Sequence, residues 1–332
     1  MLQDEWQNFL KTFKNNNTKH IDCKLAALSH LGLLAIYGRD TEKFLQGQCT
    51  NDLGNLTPKL TQLGSHCNSK GRMLALFRMI KSATVIYLQL PTSNIQPLAE
   101  RLNKYRLRSQ VQLDITGANT VAIGLLGTDT LDVLRQVLGE PPEQPNTATQ
   151  IAPFTIIRMH GVIPRFQILG PIESMQECWK NLVDQGGQPM PNDNEWILED
   201  IKAGIPNIYP ETADTFIPQM ANLQLLEGVS FTKGCYNGQE VIARLQHLGA
   251  LKRRLFRAIV LTDVCPKPGE PLYSMNSASG QGAGNVVEAC SINKNSCELL
   301  AVVEINAVTQ GTVHINHNNG PELQFLDVPY ID

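Results

Sequence analysis

The chain has 332 residues, with 28 basic and 31 acidic side chains for a formal net charge of −3. Hydrophobic residues make up 42% and charged residues 18%, which excludes a wholly disordered chain and a polycation. A length of this order predicts about two or three compact units with a substantial core.

No apolar run reaches the ~18 residues of a membrane span. The start, Met1 to Lys19, is polar and carries Asp4 and Glu5, so no secretory pattern is visible and the cytoplasm is the expected location. Eight cysteines are scattered without any C-x-x-C pair, which disfavours a zinc site or a dithiol redox motif. No metal is expected to be bound by the chain alone.

Trp6, Phe9, Leu10 and Phe13 predict a helix over 2–13, ended by Asn15-Asn16-Asn17. Leu31 to Tyr37 reads as a strand, and Asp40 is placed to cap a short helix through Leu45. Residues 73–80 and 83–90 predict a hairpin turning at Lys81-Ser82. Ile95, Leu98, Leu102 and Tyr105 share a helical face. Strands are expected at 111–115 and 121–125, then a helix with Leu131, Leu134, Val137 and Leu138 apolar. The stretch 140–150, with three prolines, is the linker or long-loop candidate. Strands at 154–159 and 162–169 follow, then helices around 173–184 and from Asn194 to Gly204. After about residue 255, short alternating runs and many glycines predict an all-β module. The expected class is α+β: a region over 1–245 with ferredoxin-like units, then a β-barrel domain over 250–332.

The most informative segment is 216–254. Gly234 and Gly238 flank Cys235, which lets the backbone turn tightly. Lys233 stands two residues before Cys235, and a nearby cation favours a thiolate. Arg244, Lys252, Arg253, Arg254 and Arg257 form a local basic concentration. Beside this stands the plainer reading, in which Cys235 is a small turn residue and the basic run a solvated face.

The string KGCYNGQEVIAR, Lys233 to Arg244, strongly resembles the signature of the YgfZ family, with Lys233, Gly234, Cys235, Tyr236, Gly238, Gln239 and Glu240 at its fixed positions. FIPQMANLQLLEGVSF upstream and LKRRL downstream extend the match. GRDTEKFLQGQCTNDL at 38–53 and CNSKGRMLALFRM at 67–79 resemble two further family segments, and NEWILEDIKAGIP at 194–206 and KYRLRSQVQL at 104–113 add support.

The resemblance implies a folate-binding accessory protein for iron–sulfur enzymes, and through them for tRNA methylthiolation. It implies the fold of the glycine cleavage T-protein, an aminomethyltransferase: interleaved α+β units and a C-terminal β-barrel around a central channel. It implies tetrahydrofolate or a derivative as cofactor and a monomeric state. The partners it implies are iron–sulfur client enzymes such as tRNA-modifying radical enzymes. Trp196 matches a tryptophan of the family's folate site, while Leu31 stands where a second tryptophan is expected. Arg72, Arg106 and Arg108 are candidates for the anionic folate tail. Cys235 is the expected functional thiol.

In the aminomethyltransferases the segment matching 67–77 carries a carboxylate that assists folate chemistry. Here no Asp or Glu occurs from Lys70 to Ile80, and no residue is assigned a catalytic role in aminomethyl transfer. Two alternatives stand beside this reading. One is a folate-dependent aminomethyltransferase. The other is a direct tRNA-binding protein using the basic run, whose affinity would fall steeply with salt.

Overall fold

The computed structural model describes residues 2–13, 21–277 and 282–331, so the Asn15-Asn16-Asn17 stop lies outside the described residues. The chain divides into two compact units, each assembled from several segments. The first takes Met1–Thr41, Gly54–Gln62 and Arg78–Trp196, and the second takes Glu42–Leu53, Leu63–Phe77 and Ile197–Asp332.

The first unit holds a six-stranded sheet. Its order is Gln188–Pro189, Lys24–Ala26, Thr120–Leu126, Arg165–Pro171, Phe154–Arg158 and Ala148–Ile151. One face is covered by the helices Leu2–Thr12, Thr130–Val137 and Ile172–Asp184, which place Trp6, Leu134, Trp179 and Leu182 in one cluster with Ile123, Phe166 and Ile168. Apolar residues recurring every three or four positions put a single stripe of each helix onto the sheet. The other face meets Leu33, Ala35, Ile80 and Tyr87 across a second core that also contains Leu126, Ile157, Leu169 and Trp196. The strand Leu31–Tyr37 lies between Val85–Pro91 and Gln112–Asp114 and is buried on both faces from Leu33 to Ile36, which explains its unbroken apolar run.

The second unit contains an antiparallel sheet of six strands. They run in the order His314–Ile315, Pro271–Tyr273, Gly284–Asn293, Ser296–Glu304, Arg253–Leu261 and Leu323–Leu326. The sheet curls until its two ends meet. His314 bridges Glu322, and the Leu323 amide donates to the Val313 carbonyl at 2.8 Å. Alternate residues of the central strand face two cores: Leu299, Ala301 and Val303 enter one, while Leu300 and Val302 join the other beside Ile201, Phe216 and Ile242. The C-terminal β module expected from texture is therefore present, with one short helix, Ile305–Gln310, inserted.

Three local expectations are corrected. Asp40 does not cap the helix Thr41–Gln46; its carboxylate accepts from the Gln110 amide at 2.8 Å, while the Thr41 amide bonds the Gly38 carbonyl. Lys81 and Ser82 lie in the strand Met73–Ser82, and the turn falls on Ala83 and Thr84 with Ala83 at φ 49°. Of the two readings of residues 140–150, the long loop holds as far as Thr147 and the linker does not: the stretch lies within the first unit and ends in the strand Ala148–Ile151.

Candidate functional site

The second unit brings together three stretches that are distant in sequence: 46–53, 67–73 and 230–240. The Lys70-Gly71-Arg72 turn follows the strand Gln62–Cys67 and is closed by Asn68, whose side-chain oxygen accepts from the amides of Lys70 and Arg72 at 2.9 and 3.1 Å. Gly238 lies against this turn at φ +84°. A Cβ there would sit 2.5 Å from the Asn68 carbonyl oxygen and 2.9 Å from the Gly71 Cα. Gly71 is the reciprocal case at φ +71°, with Val241 Cβ at 3.1 Å and the Gly238 carbonyl at 3.3 Å from the position of an added Cβ. Two backbones touch here, and only glycine allows it. Gly234, by contrast, has nothing within 4 Å of an added Cβ. Its glycine is not required by this local packing, so of the two glycines that flank Cys235 only Gly238 is held by a close backbone approach.

Lys233 does not serve Cys235 as a neighbouring cation. Its side chain is turned inward and 8% exposed, and its Nζ donates to the carbonyls of Gln46, Cys49 and Asn51 at 2.7, 2.9 and 2.7 Å. An ammonium has three N–H donors, and all three are used. The same Nζ lies 5.2 Å from the Tyr236 ring centroid. Burial draws the Lys233 amine below its ordinary value, while Cys49 and Asp52 act in the opposite sense. Lys233 is thus a clamp that ties the signature loop to the 46–51 segment.

That segment is itself pinned. Thr50 Oγ1 donates to the Gly228 carbonyl at 2.7 Å, and Asn51 Nδ2 donates to the carbonyls of Leu63 and Glu227 at 2.8 and 2.7 Å. Cys49 and Cys67 are buried in this layer, and burial pushes both thiols up to about 12, so they are held neutral. Cys235 alone of the three is exposed. Tyr236 beside it is buried, so the loop turns one side chain into the core and presents the thiol outward. Gly238 then opens the helix Gln239–Leu248, in which Ile242 is the buried residue and its carbonyl accepts from Gln219 Nε2 at 2.7 Å.

Asp214 was missed by sequence reasoning. It stands in left-handed backbone at φ 61° and is exposed. Its amide bonds the Met73 carbonyl at 2.8 Å, and its carboxylate accepts from Asn68 Nδ2. The 70–80 stretch lacks acidic residues, yet folding supplies a carboxylate to its turn from a loop 146 positions away from Asn68. Arg72 fixes the same loop: its Nη1 donates to the carbonyls of Thr215 and Asp214 at 2.6 and 3.3 Å.

The remaining predicted residues lie in the first unit. Trp196 is fully buried, with the Arg165 guanidinium 4.9 Å from its ring centroid and Gly124 so close that an added Cβ would be 2.5 Å from ring carbons. Leu31 opens its strand half-buried, paired with Pro91. Arg106 ends the helix Thr92–Arg106 and Arg108 follows it, both exposed. The basic run of the second unit is largely structural. Arg253 reaches Glu304 at 2.9 Å, Arg257 pairs with buried Glu298, and the Arg254 guanidinium lies 4.7 Å from the Phe256 ring centroid.

No protein-family model matches the chain. Among curated proteins it is 29% identical over 282 residues to the tRNA-modifying protein YgfZ of Colwellia psychrerythraea, covering 84% of this chain and 85% of the relative. It is 28% identical over 306 residues to the protein of the same name from Yersinia enterocolitica, covering 92% of each. The chain resembles YgfZ over most of its length. Among solved structures, the aminomethyltransferase T of the glycine cleavage system from Bartonella henselae superposes with a TM-score of 0.68 at 16% identity, covering 98% of this chain and 89% of that one. The YgfZ-like chain therefore shares the T-protein fold, as its signature implied. Among the described residues no helix is long and apolar enough to cross a membrane.

Proposed function

We propose that this chain is a cytoplasmic accessory protein of tRNA modification that maintains iron–sulfur client enzymes through Cys235. The observation that carries the reading is the presentation of Cys235. The signature loop is clamped by Lys233, seated on Gly71 by Gly238 and anchored by buried Tyr236, and it leaves one thiol exposed. A fixed loop with an accessible sulfur suits transient bonding to a sulfur group or a client thiol. The names of the curated relatives support the link to tRNA. The engagement of Arg253 and Arg257 by Glu304 and Glu298 favours a link through client enzymes over direct contact with the nucleic acid.

Tetrahydrofolate belongs to this reading through the family resemblance. The residues assigned to it do not form a stacking site as they stand. Trp196 has no exposed face, Leu31 supplies no ring, and Arg72 is engaged by two backbone carbonyls. No step is derived through folate, and aminomethyl transfer is not assigned to the chain.

The test is complementation of a bacterium lacking its own YgfZ gene, with methylthiolated adenosine in tRNA as readout. The wild-type chain restores the modification and Cys235→Ser does not. Equal restoration by both would remove Cys235 from the mechanism, and failure of the wild type would remove the tRNA reading. Titration with tetrahydrofolate, followed by tryptophan fluorescence, tests the folate part separately. Saturable quenching sustains it, and no binding up to millimolar folate strikes it out.

A further inference from the structure

The first unit carries a cationic turn that the candidate site does not use. The helix Thr92–Arg106 runs out through Arg101, Lys104, Arg106 and Arg108, and no acidic residue stands between them. Lys104, Arg106 and Arg108 are exposed, and among the described residues none of the three enters an ion pair. Arg101 is held differently, with its guanidinium 5.5 Å from the Tyr105 ring centroid. Arg39 joins the group from another stretch. The Asp40 amide donates to the Gln110 carbonyl at 3.3 Å and the Gln110 amide to the Asp40 carboxylate at 2.8 Å, so the 39–40 segment is tied beside the turn. The Arg39 side chain is 74% exposed and stays 3.9 Å from that carboxylate. Lys104 and Arg106 complement the negative end of the helix dipole, which is reason enough for both. Arg108 and Arg39 lie outside the helix and have no such reason.

The turn itself is strained. Leu107 stands at φ 44° and ψ −108°, the values of the first central position of a type II′ turn, and the Ser109 amide closes the turn on the Arg106 carbonyl at 2.8 Å. Glycine suits that position, and leucine is held there at a cost. Leu107 is also 89% exposed, so its side chain gives the fold almost no burial in return. An apolar tip kept in a strained turn and rimmed by unopposed cations fits a surface outside the chain. Its complement is an apolar socket edged by carboxylates on a folded protein. A phosphate backbone would use the cations and leave Leu107 in water. A lipid surface would need a wider apolar face than Leu107 and the 36% exposed Tyr105 provide.

We infer that the Leu107 turn docks the protein onto an acidic surface of its client enzymes. Leu107 enters an apolar socket, and Arg39, Lys104, Arg106 and Arg108 face the carboxylates around it. The inference rests on the accessory role proposed above, to which it adds a docking surface.

The full chain is immobilised and titrated under nitrogen with a purified iron–sulfur tRNA methylthiotransferase from the bacterium used for complementation. The wild type binds saturably. Leu107→Gly weakens binding about tenfold or more, while its urea midpoint is no lower than that of the wild type, because the turn then holds the residue it suits. Arg106→Glu with Arg108→Glu weakens binding at least as much and removes most of its salt dependence. Wild-type affinity in either variant overturns the docking surface. So does absence of binding by the wild type, and complementation then judges the accessory role by itself. Retention of tRNA, or of vesicles containing anionic phospholipid, that is lost in the arginine variant names a different occupant and overturns it too.

Discussion

Replacing Lys233 by Met removes the ammonium and keeps most of the aliphatic stem. Three carbonyls, of Gln46, Cys49 and Asn51, then lose their donor in a layer where Cys49 and Asn51 are buried. A buried acceptor left unsatisfied costs ~1–3 kcal/mol, so three cost at least ~3 kcal/mol. Relief of the buried charge returns part of this, because Lys233 carries a desolvation penalty of its own. The expected net loss is about 2–4 kcal/mol. At ~2–4 °C per kcal/mol for a domain of this size, the melting temperature falls by roughly 10 °C. Urea unfolding followed by circular dichroism supplies the free energy, and differential scanning calorimetry the melting shift. Lys233→Arg should lose less, since guanidinium retains the charge and several donors. A loss below about 1 kcal/mol for Lys233→Met would refute the clamp and return Lys233 to service of the thiol.

Gly238→Ala should cost about 2–4 kcal/mol in urea unfolding, because its Cβ meets the Asn68 carbonyl at 2.5 Å and its φ is +84°. Gly234→Ala, with open space around it, should stay within about 0.5 kcal/mol of the wild type. His160 is held neutral by burial and by the Arg78 and Arg165 guanidiniums, which bring it down to about 4 from 6.5. Its folded value is depressed, so its contribution is complete above pH 6.5 and is lost as pH falls through about 4. That window spans ~2 kcal/mol after allowance for partial exposure, and His160→Gln should flatten urea midpoints across it. Arg257→Ala leaves Glu298, 4% exposed at its side chain, without its guanidinium and should cost about 2–3 kcal/mol. The same variant should leave retention of tRNA on a filter unchanged at low salt.

Regular elements were legible where one interaction dominates. The run Leu31–Tyr37 and the helix stripes around Trp6 and Leu134 follow from burial alone, and each appears where periodicity places it. One error falls where a long-range partner competes with a local one: Asp40 is drawn to the Gln110 amide rather than its own helix. Another falls where a local hairpin follows a proline-rich loop: Ala148–Ile151 pairs with Phe154–Arg158 despite the prolines before it. At the candidate site, the signature identified the loop, and the nearby-cation argument misassigned Lys233. Adjacency in sequence suggested help for the neighbouring thiol, whereas the ammonium is satisfied by carbonyls more than 180 positions away. Asp214 carried no sequence signal, because its role at the Asn68 turn exists only through a contact spanning 146 positions.

The Lys233 clamp also sets a schedule. Its Nζ binds the carbonyl of Cys49, which precedes it by 184 residues. At ~5–20 residues per second, a ribosome makes the carbonyls roughly 10–40 s before it makes the lysine that binds them. Throughout that interval the carbonyls of Gln46, Cys49 and Asn51 have only water or provisional partners. The thiol therefore gains its fixed setting late in synthesis, and a nascent chain stalled before Lys233 carries the cradle without the group that fills it.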